Sequence, residues 1–366
     1  MQRSNWPQEQ ASEDGEEEDD LWFLPGPVEE EAWDMPGPKA GRAAVFDPRP
    51  WLTAEQREGQ ALAAAAAAFA ALSERLTQMG PGARRRLALL ETAELSWAGG
   101  LRLSPEKIAL HSLLRLPAAS DDAQALELAI CGAGRLTKGP GPQLGLADFL
   151  GRRSSGRDRL DSGVEDAGPG ESHELLALRP QGAEFEQLAA QWEAALADLQ
   201  PLHPLSRAAA GFFAWRGLGL SGDDDVIEAA VTAARLGAEG TRGGAVFMPL
   251  ALGDALLFRS SGEAGTALPR WLRAVENACL RALLMLDQLA EWKNRAALKT
   301  ADLSGRSPPL LIEALFAHPA LSAEMAAEAT GISKVGARRN LGIFQDRGLI
   351  RETTGQQRYR VWTADC

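Results

Sequence analysis

The segment Thr330-Gly331-Ile332-Ser333-Lys334-Val335-Gly336-Ala337-Arg338-Arg339-Asn340-Leu341-Gly342-Ile343-Phe344-Gln345-Asp346-Arg347-Gly348 joins a tight turn to an amphipathic helix. Gly331 suits a left-handed position, because it has no Cβ to clash there, and Ser333 is placed to cap the following helix. That helix is expected from Lys334 to about Asp346. Ala337, Leu341 and Phe344 recur at the i, i+4, i+7 spacing of one inner face. Val335 and Arg339 lie near the opposite face, with Arg338 on its flank and Lys334 in the first turn. Gly348 ends the helix.

Upstream, Ser307-Pro308-Pro309 is a break, followed by the apolar period Leu310, Leu311, Ala314, Leu315 and Phe316. His318-Pro319 closes that helix, because a residue before proline is pushed out of the α region. Leu321-Ser322 opens a second short helix, with Ser322 as N-cap and Ala326 and Ala329 inside. Downstream, Leu349 to Thr354 reads as a strand, Gly355-Gln356-Gln357 as a turn, and Arg358 to Trp362 as the returning strand. Three helices followed by a β-hairpin form a winged helix-turn-helix, expected over residues 305–363.

Charge placement carries the functional expectation. Between Ser333 and Arg360 lie seven basic residues (Lys334, Arg338, Arg339, Arg347, Arg351, Arg358, Arg360) against Asp346 and Glu352, a local net charge of +5. A basic helix and wing are the footprint of a phosphate-backbone binder. The candidate DNA-contacting residues are Ser333, Lys334, Val335, Arg338, Arg339, Arg351, Arg358 and Arg360, and the expected partner is double-stranded DNA. Arg338 and Arg339 would reach base edges in the major groove, and the wing arginines would meet phosphates or the minor groove. Winged helices also serve as dimerisation or protein-docking modules, so an interaction scaffold stands as an alternative.

The whole chain of 366 residues has a formal net charge of −12. Met1 to Asp34 holds twelve acidic residues and one arginine, a net of −11, which leaves −1 for everything after it. Residues 1–40 are therefore expected to be a disordered acidic tail, one that could dock on the chain's own basic face. Cys131, Cys279 and Cys366 are too few and too scattered for a disulfide framework or zinc site, which points to a reducing cytoplasm. The four histidines show no metal spacing, so no metal and no cofactor is expected. No signal peptide is visible, and the alanine-rich run Ala61 to Leu72 is too short to cross a bilayer.

Residues 45–300 read as a helical body. Thr53, with Gln56 completing a capping box, is expected to start a helix running to about Met79. Further helices are expected at Arg84–Trp97, from Ser104-Pro105-Glu106, from Ser120, and at 182–199, 204–218, 223–236 and 268–299. Residues 138–174, rich in glycine and proline, are expected to form a mobile loop. Strand signals are scarce before the hairpin, so the fold class is mainly α.

Two stretches of the body resemble Fic-type proteins: Glu91-Thr92-Ala93-Glu94-Leu95-Ser96-Trp97-Ala98-Gly99-Gly100-Leu101-Arg102-Leu103-Ser104-Pro105-Glu106, and Leu202-His203-Pro204-Leu205. More closely, the arrangement from Trp51 to Trp362 resembles an uncharacterised bacterial family that pairs a helical domain of unknown function with a C-terminal helix-turn-helix DNA-binding domain. The resemblance to Fic proteins implies a histidine base, an acid that holds magnesium and a Gly-Asn-Gly loop around phosphates. Here His203-Pro204-Leu205 is followed by Ser206-Arg207-Ala208-Ala209-Ala210-Gly211, without acid or loop, and Gly99-Gly100 stands where the inhibitory glutamate would be. Such a body is a degenerate scaffold rather than a working transferase.

Gly217-Leu218-Gly219-Leu220-Ser221-Gly222 is not a dinucleotide fingerprint, because no strand precedes it. Asp223-Asp224-Asp225 reads as a helix start rather than a cation site. The expectation is a cytoplasmic bacterial transcriptional regulator, with the enzyme question left open but leaning against, a Fic-like body for homodimerisation, sensing or partner contacts, and no membrane partner. The alternative is a Fic-type nucleotidyl (AMP) transferase or nucleotide sensor with a remodelled loop.

Overall fold

Pro48 and Asp47 set where helical order begins. Asp47 accepts from the main-chain N–H of Arg49 at 3.1 Å, and α1 runs Arg49–Arg57. A computed structural model of the chain describes residues 46–114, 120–152, 179–221, 226–259, 262–354 and 360–366. The acidic tail, Asp223–Asp225, Arg358 and most of the expected mobile loop lie outside these residues. Thirteen α-helices occur among the described residues, and residues 44–366 form one unit.

The single helix expected from Thr53 to Met79 is two, α1 and α2 (Gly59–Met79), parted at Glu58. Gly59 is a poor residue to carry a helix through. Thr53 is inside α1, where its hydroxyl donates to the Arg49 carbonyl at 3.0 Å. The other body helices are α3 (Pro81–Ala98), α4 (Pro105–Leu114), α5 (Ser120–Thr137), α6 (Leu146–Leu150), α7 (Gly182–Asp198), α8 (Pro204–Leu218), α9 (Val226–Gly237) and α10 (Ala264–Lys299). Of the stretch expected to be mobile, residues 142–150 form a 3₁₀ turn followed by α6. Leu146, Phe149 and Leu150 are buried, and Arg135 donates to the Leu150 carbonyl at 2.6 Å. Burial of three apolar side chains outweighs the glycine and proline content there.

The core is built on α10, which packs against α1, α2 and α8. Its Trp271 lies 5.6 Å from Phe212, and Trp192 meets Trp215 edge-on at 5.3 Å. Gly253 lets the 245–254 loop lie against α10, since a Cβ there would come within 1.9 Å of the Ala274 carbonyl oxygen. The same loop is held from α3. The buried Glu91 carboxylate accepts from the main-chain N–H groups of Leu250 and Ala251 at 2.7 Å and of Leu252 at 3.2 Å. Burial nevertheless pushes the Glu91 carboxyl up to about 7, so loss of water outweighs three N–H bonds.

A second buried carboxylate organises the other side. Glu228 of α9 is approached by Arg135, Arg152 and Arg179, and Ser221 donates to it at 2.6 Å. Ser221 in turn accepts from the Trp215 indole at 2.8 Å. No helix among the described residues is long and apolar enough to cross a membrane.

The C-terminal elements are α11 (Ser307–Ala317), β1 (Leu321–Ser322), α12 (Ala323–Thr330), α13 (Lys334–Asp346), β2 (Ile350–Glu352) and β3 (Val361–Ala364). The strands form one antiparallel sheet in the order β1-β3-β2, with Leu321 opposite Trp362 and Arg351 opposite Thr363. β1 was not expected from the sequence. Among the described residues the returning strand runs Val361–Ala364, and its Trp362 is paired with both Leu321 of β1 and Glu352 of β2.

Candidate nucleic-acid interface

Two serines set the geometry of the α12–turn–α13 unit. Ser322 Oγ accepts from the Met325 N–H at 3.1 Å, and Ser333 Oγ accepts from the Gly336 N–H at 3.1 Å. Each satisfies an N–H that a helix start leaves without a partner. Between them Gly331 takes φ 67°, the left-handed value that ends α12 and turns the chain.

Ala337, Leu341 and Phe344 are fully buried, as their spacing predicts. Asn340 is also buried and donates from Nδ2 to the Gly336 carbonyl at 2.8 Å. The outward face carries Val335, 80% exposed, with Arg338 and Arg339, both exposed. Gly342 continues that face one turn on, and nothing lies within 4 Å of where its Cβ would be. The result is a shallow helix surface with a methyl-bearing side chain and two guanidinium groups, narrow enough to enter a major groove. Sequence reasoning passed over Gly342; its position seven residues after Val335 was the available signal.

The remaining candidates are placed differently. Lys334 is exposed but pairs with Glu324 of α12, an acidic neighbour the sequence did not bring to attention. Arg351 is exposed on β2. Arg360 is half-buried: it donates to Gln345 Oε1 at 2.8 Å and lies 5.1 Å over the Trp362 ring. Gln345 also accepts from the Trp362 indole at 2.9 Å, so it fastens the end of α13 to β3. Arg347, counted in the +5 charge, faces the body. It donates to Asp302 Oδ2 at 2.8 Å and holds that carboxyl below its ordinary range.

The helical body fixes this unit. Trp292 of α10 donates to the Leu349 carbonyl at 2.7 Å, and Arg86 of α3 donates to the carbonyls of Leu315 at 3.0 Å and His318 at 2.8 Å. Arg86 thereby satisfies acceptors that the end of α11 leaves open and places a cation at the negative end of that helix. His318 is buried beside Arg85 and Arg86, and burial foremost lowers its ring to about 4.

In the body, His203 caps α8, its Nδ1 accepting from the Leu205 N–H at 3.2 Å. Arg207 pairs with Glu239 and donates to Gln200 at 2.9 Å. Among the described residues no group of three or more His, Cys, Asp or Glu side chains could hold a metal ion.

Residues 308–364 match the family described as HTH DNA binding domain, which covers α11 through β3. No curated protein matches the chain. The protein thus carries a C-terminal helix-turn-helix DNA-binding domain on a helical body.

Proposed function

We propose that this protein is a transcriptional regulator that reads duplex DNA with α13 in the major groove and the β2–β3 hairpin lying as a wing along the backbone. The observation that carries this reading is the outward face of Val335, Arg338, Arg339 and Gly342, on a capped helix within the helix-turn-helix match. Arg338 and Arg339 supply bidentate donors for guanine edges or phosphates, and Val335 supplies apolar contact for a thymine methyl. Arg351 extends the positive surface to β2. Ser333, at the N-cap, places the first turn of α13 with its N–H groups toward a phosphate.

The body serves this function by holding and positioning the DNA-binding unit. The side chains that resemble a transferase site support that role rather than catalysis, since His203 and Arg207 are engaged in helix capping and ion pairing.

Binding of genomic duplex fragments between 50 and 200 mM salt tests the reading, using the full chain and a Lys334→Ala/Arg338→Ala/Arg339→Ala variant. A steep loss of affinity with salt, abolished in the variant, is the expected result. Absence of duplex binding by the unaltered chain across that range would overturn it.

A further inference from the structure

The long helix α10 buries one face in the body, through residues such as Trp271, Val275, Ala282 and Leu289. Its opposite face is exposed and carries a second pattern: Arg273, Asn277, Leu280, Leu284, Asp287 and Glu291. These residues are spaced by 4, 3, 4, 3 and 4, the interval of a coiled-coil seam. Its two central members are among the most exposed large apolar side chains described, Leu280 at 52% and Leu284 at 62%.

The seam is also symmetric about the point midway between Leu280 and Leu284. Reflection along the helix through that point exchanges Leu280 with Leu284, Asn277 with Asp287, and Arg273 with Glu291. A second copy of α10 laid antiparallel across the first would therefore set leucine on leucine at the centre. Arg273 would oppose the second copy's Glu291 at both ends. In a parallel pair Arg273 would oppose Arg273 and Glu291 would oppose Glu291, so charge selects the antiparallel arrangement. Asp287 already pairs with Arg75 of α2 at 2.6 Å, so the group brought against Asn277 is a neutralised carboxylate. We infer that the outer seam of α10 is an isologous interface through which the protein pairs with a second copy of itself.

The seam spans nineteen residues, roughly 27 Å of helix from Arg273 to Glu291, which makes a small interface and a dimer held in the micromolar range. Antiparallel pairing sends the two C-terminal units to opposite ends. Trp292, where α10 holds Leu349, is ten residues from the seam's midpoint, so the two attachment points sit roughly 30 Å apart. That is on the scale of the 34–36 Å between half-sites one helical turn apart, a consequence that rests on the DNA-reading function above.

Sedimentation equilibrium of the full chain from about 1 to 100 µM tests the pairing without DNA, so its failure leaves the DNA-binding proposal standing. The expected result is a monomer–dimer equilibrium that Leu280→Glu/Leu284→Glu abolishes. Arg273→Glu should weaken pairing roughly tenfold, because two contacts per dimer turn repulsive. Adding Glu291→Arg to it should restore pairing to within about threefold, which also shows that the charge changes leave the fold intact. A monomer throughout the range would overturn the inference, as would a dimer indifferent to the leucine substitutions or one that the double charge exchange does not restore.

Discussion

Trp292 on α10 donates its indole N–H to the Leu349 carbonyl, 2.7 Å away, just before β2. The ring is fully buried, and Leu349 also accepts from the main-chain N–H of Asp365 at 3.1 Å. One side chain of the longest helix therefore fixes the base of the hairpin, while Arg86 fixes the end of α11. The exposed face of α13 is oriented by the body rather than carried on a free tether.

Trp292→Phe should cost about 1–3 kcal/mol, because the hydrogen bond and part of the buried ring volume are lost while Leu349 keeps its second donor. Trp292→Ala should cost about 3–5 kcal/mol, since it opens a large cavity between the body and the C-terminal unit. Chemical denaturation of both variants distinguishes packing from hydrogen bonding at this contact. Near-equal losses would show that the N–H-bearing part of the indole, rather than the bulk of the ring, carries the contact.

If α13 is the reading helix as proposed, Glu324→Gln should raise duplex affinity at low salt, roughly two- to fivefold, by removing a carboxylate beside α13 and releasing Lys334 from its ion pair. Gly342→Ala should stabilise α13 by up to about 1 kcal/mol, because its Cβ would meet nothing within 4 Å. Larger residues at the same place, such as Gly342→Phe, should leave the melting temperature nearly unchanged and weaken duplex binding at least roughly tenfold, through collision with the groove floor. Fluorescence anisotropy and thermal melts measured together separate the two effects.

Stability should depend on pH in two opposite ways. The folded chain holds Glu91 at about 7 against an ordinary value of 4.5, so it keeps a proton that the unfolded chain releases. That contribution is fully present below 4.5 and is lost as pH rises to about 7. His318 is held at about 4 against 6.5, so its neutral ring favours the fold above 6.5 and the benefit fades as pH falls toward 4. Denaturation curves from pH 4 to 8 should lose the falling component in Glu91→Gln and the rising component in His318→Gln.

Glu228→Gln should destabilise the body by about 3–5 kcal/mol, because it removes the carboxylate on which Arg135, Arg152 and Arg179 converge. Ser221→Ala should cost about 1–3 kcal/mol, since the buried Trp215 indole N–H loses its acceptor. Urea titration measures both. A loss under 1 kcal/mol for Glu228→Gln would show that the arginines are solvated well enough without it.

The elements that local chemistry controls were legible in the amino-acid order. Ser322, Gly331 and Ser333 marked the ends of α12 and α13, and the spacing of Ala337, Leu341 and Phe344 determined which face is buried. The basic residues of α13 and the helical character of the body were also legible, because capping, turn conformation and helical period act within a few residues. Features that depend on distant partners emerged only in the folded chain. Folding divided α1 from α2, ordered residues 142–150, added β1, and turned Arg347 and Arg360 inward while leaving Arg338 and Arg339 free to face outward. It also joined Glu91 to residues 250–252 and Trp292 to Leu349. Such contacts span tens to more than a hundred residues of chain, and their energy comes from burial in a shared core, a quantity no local pattern encodes.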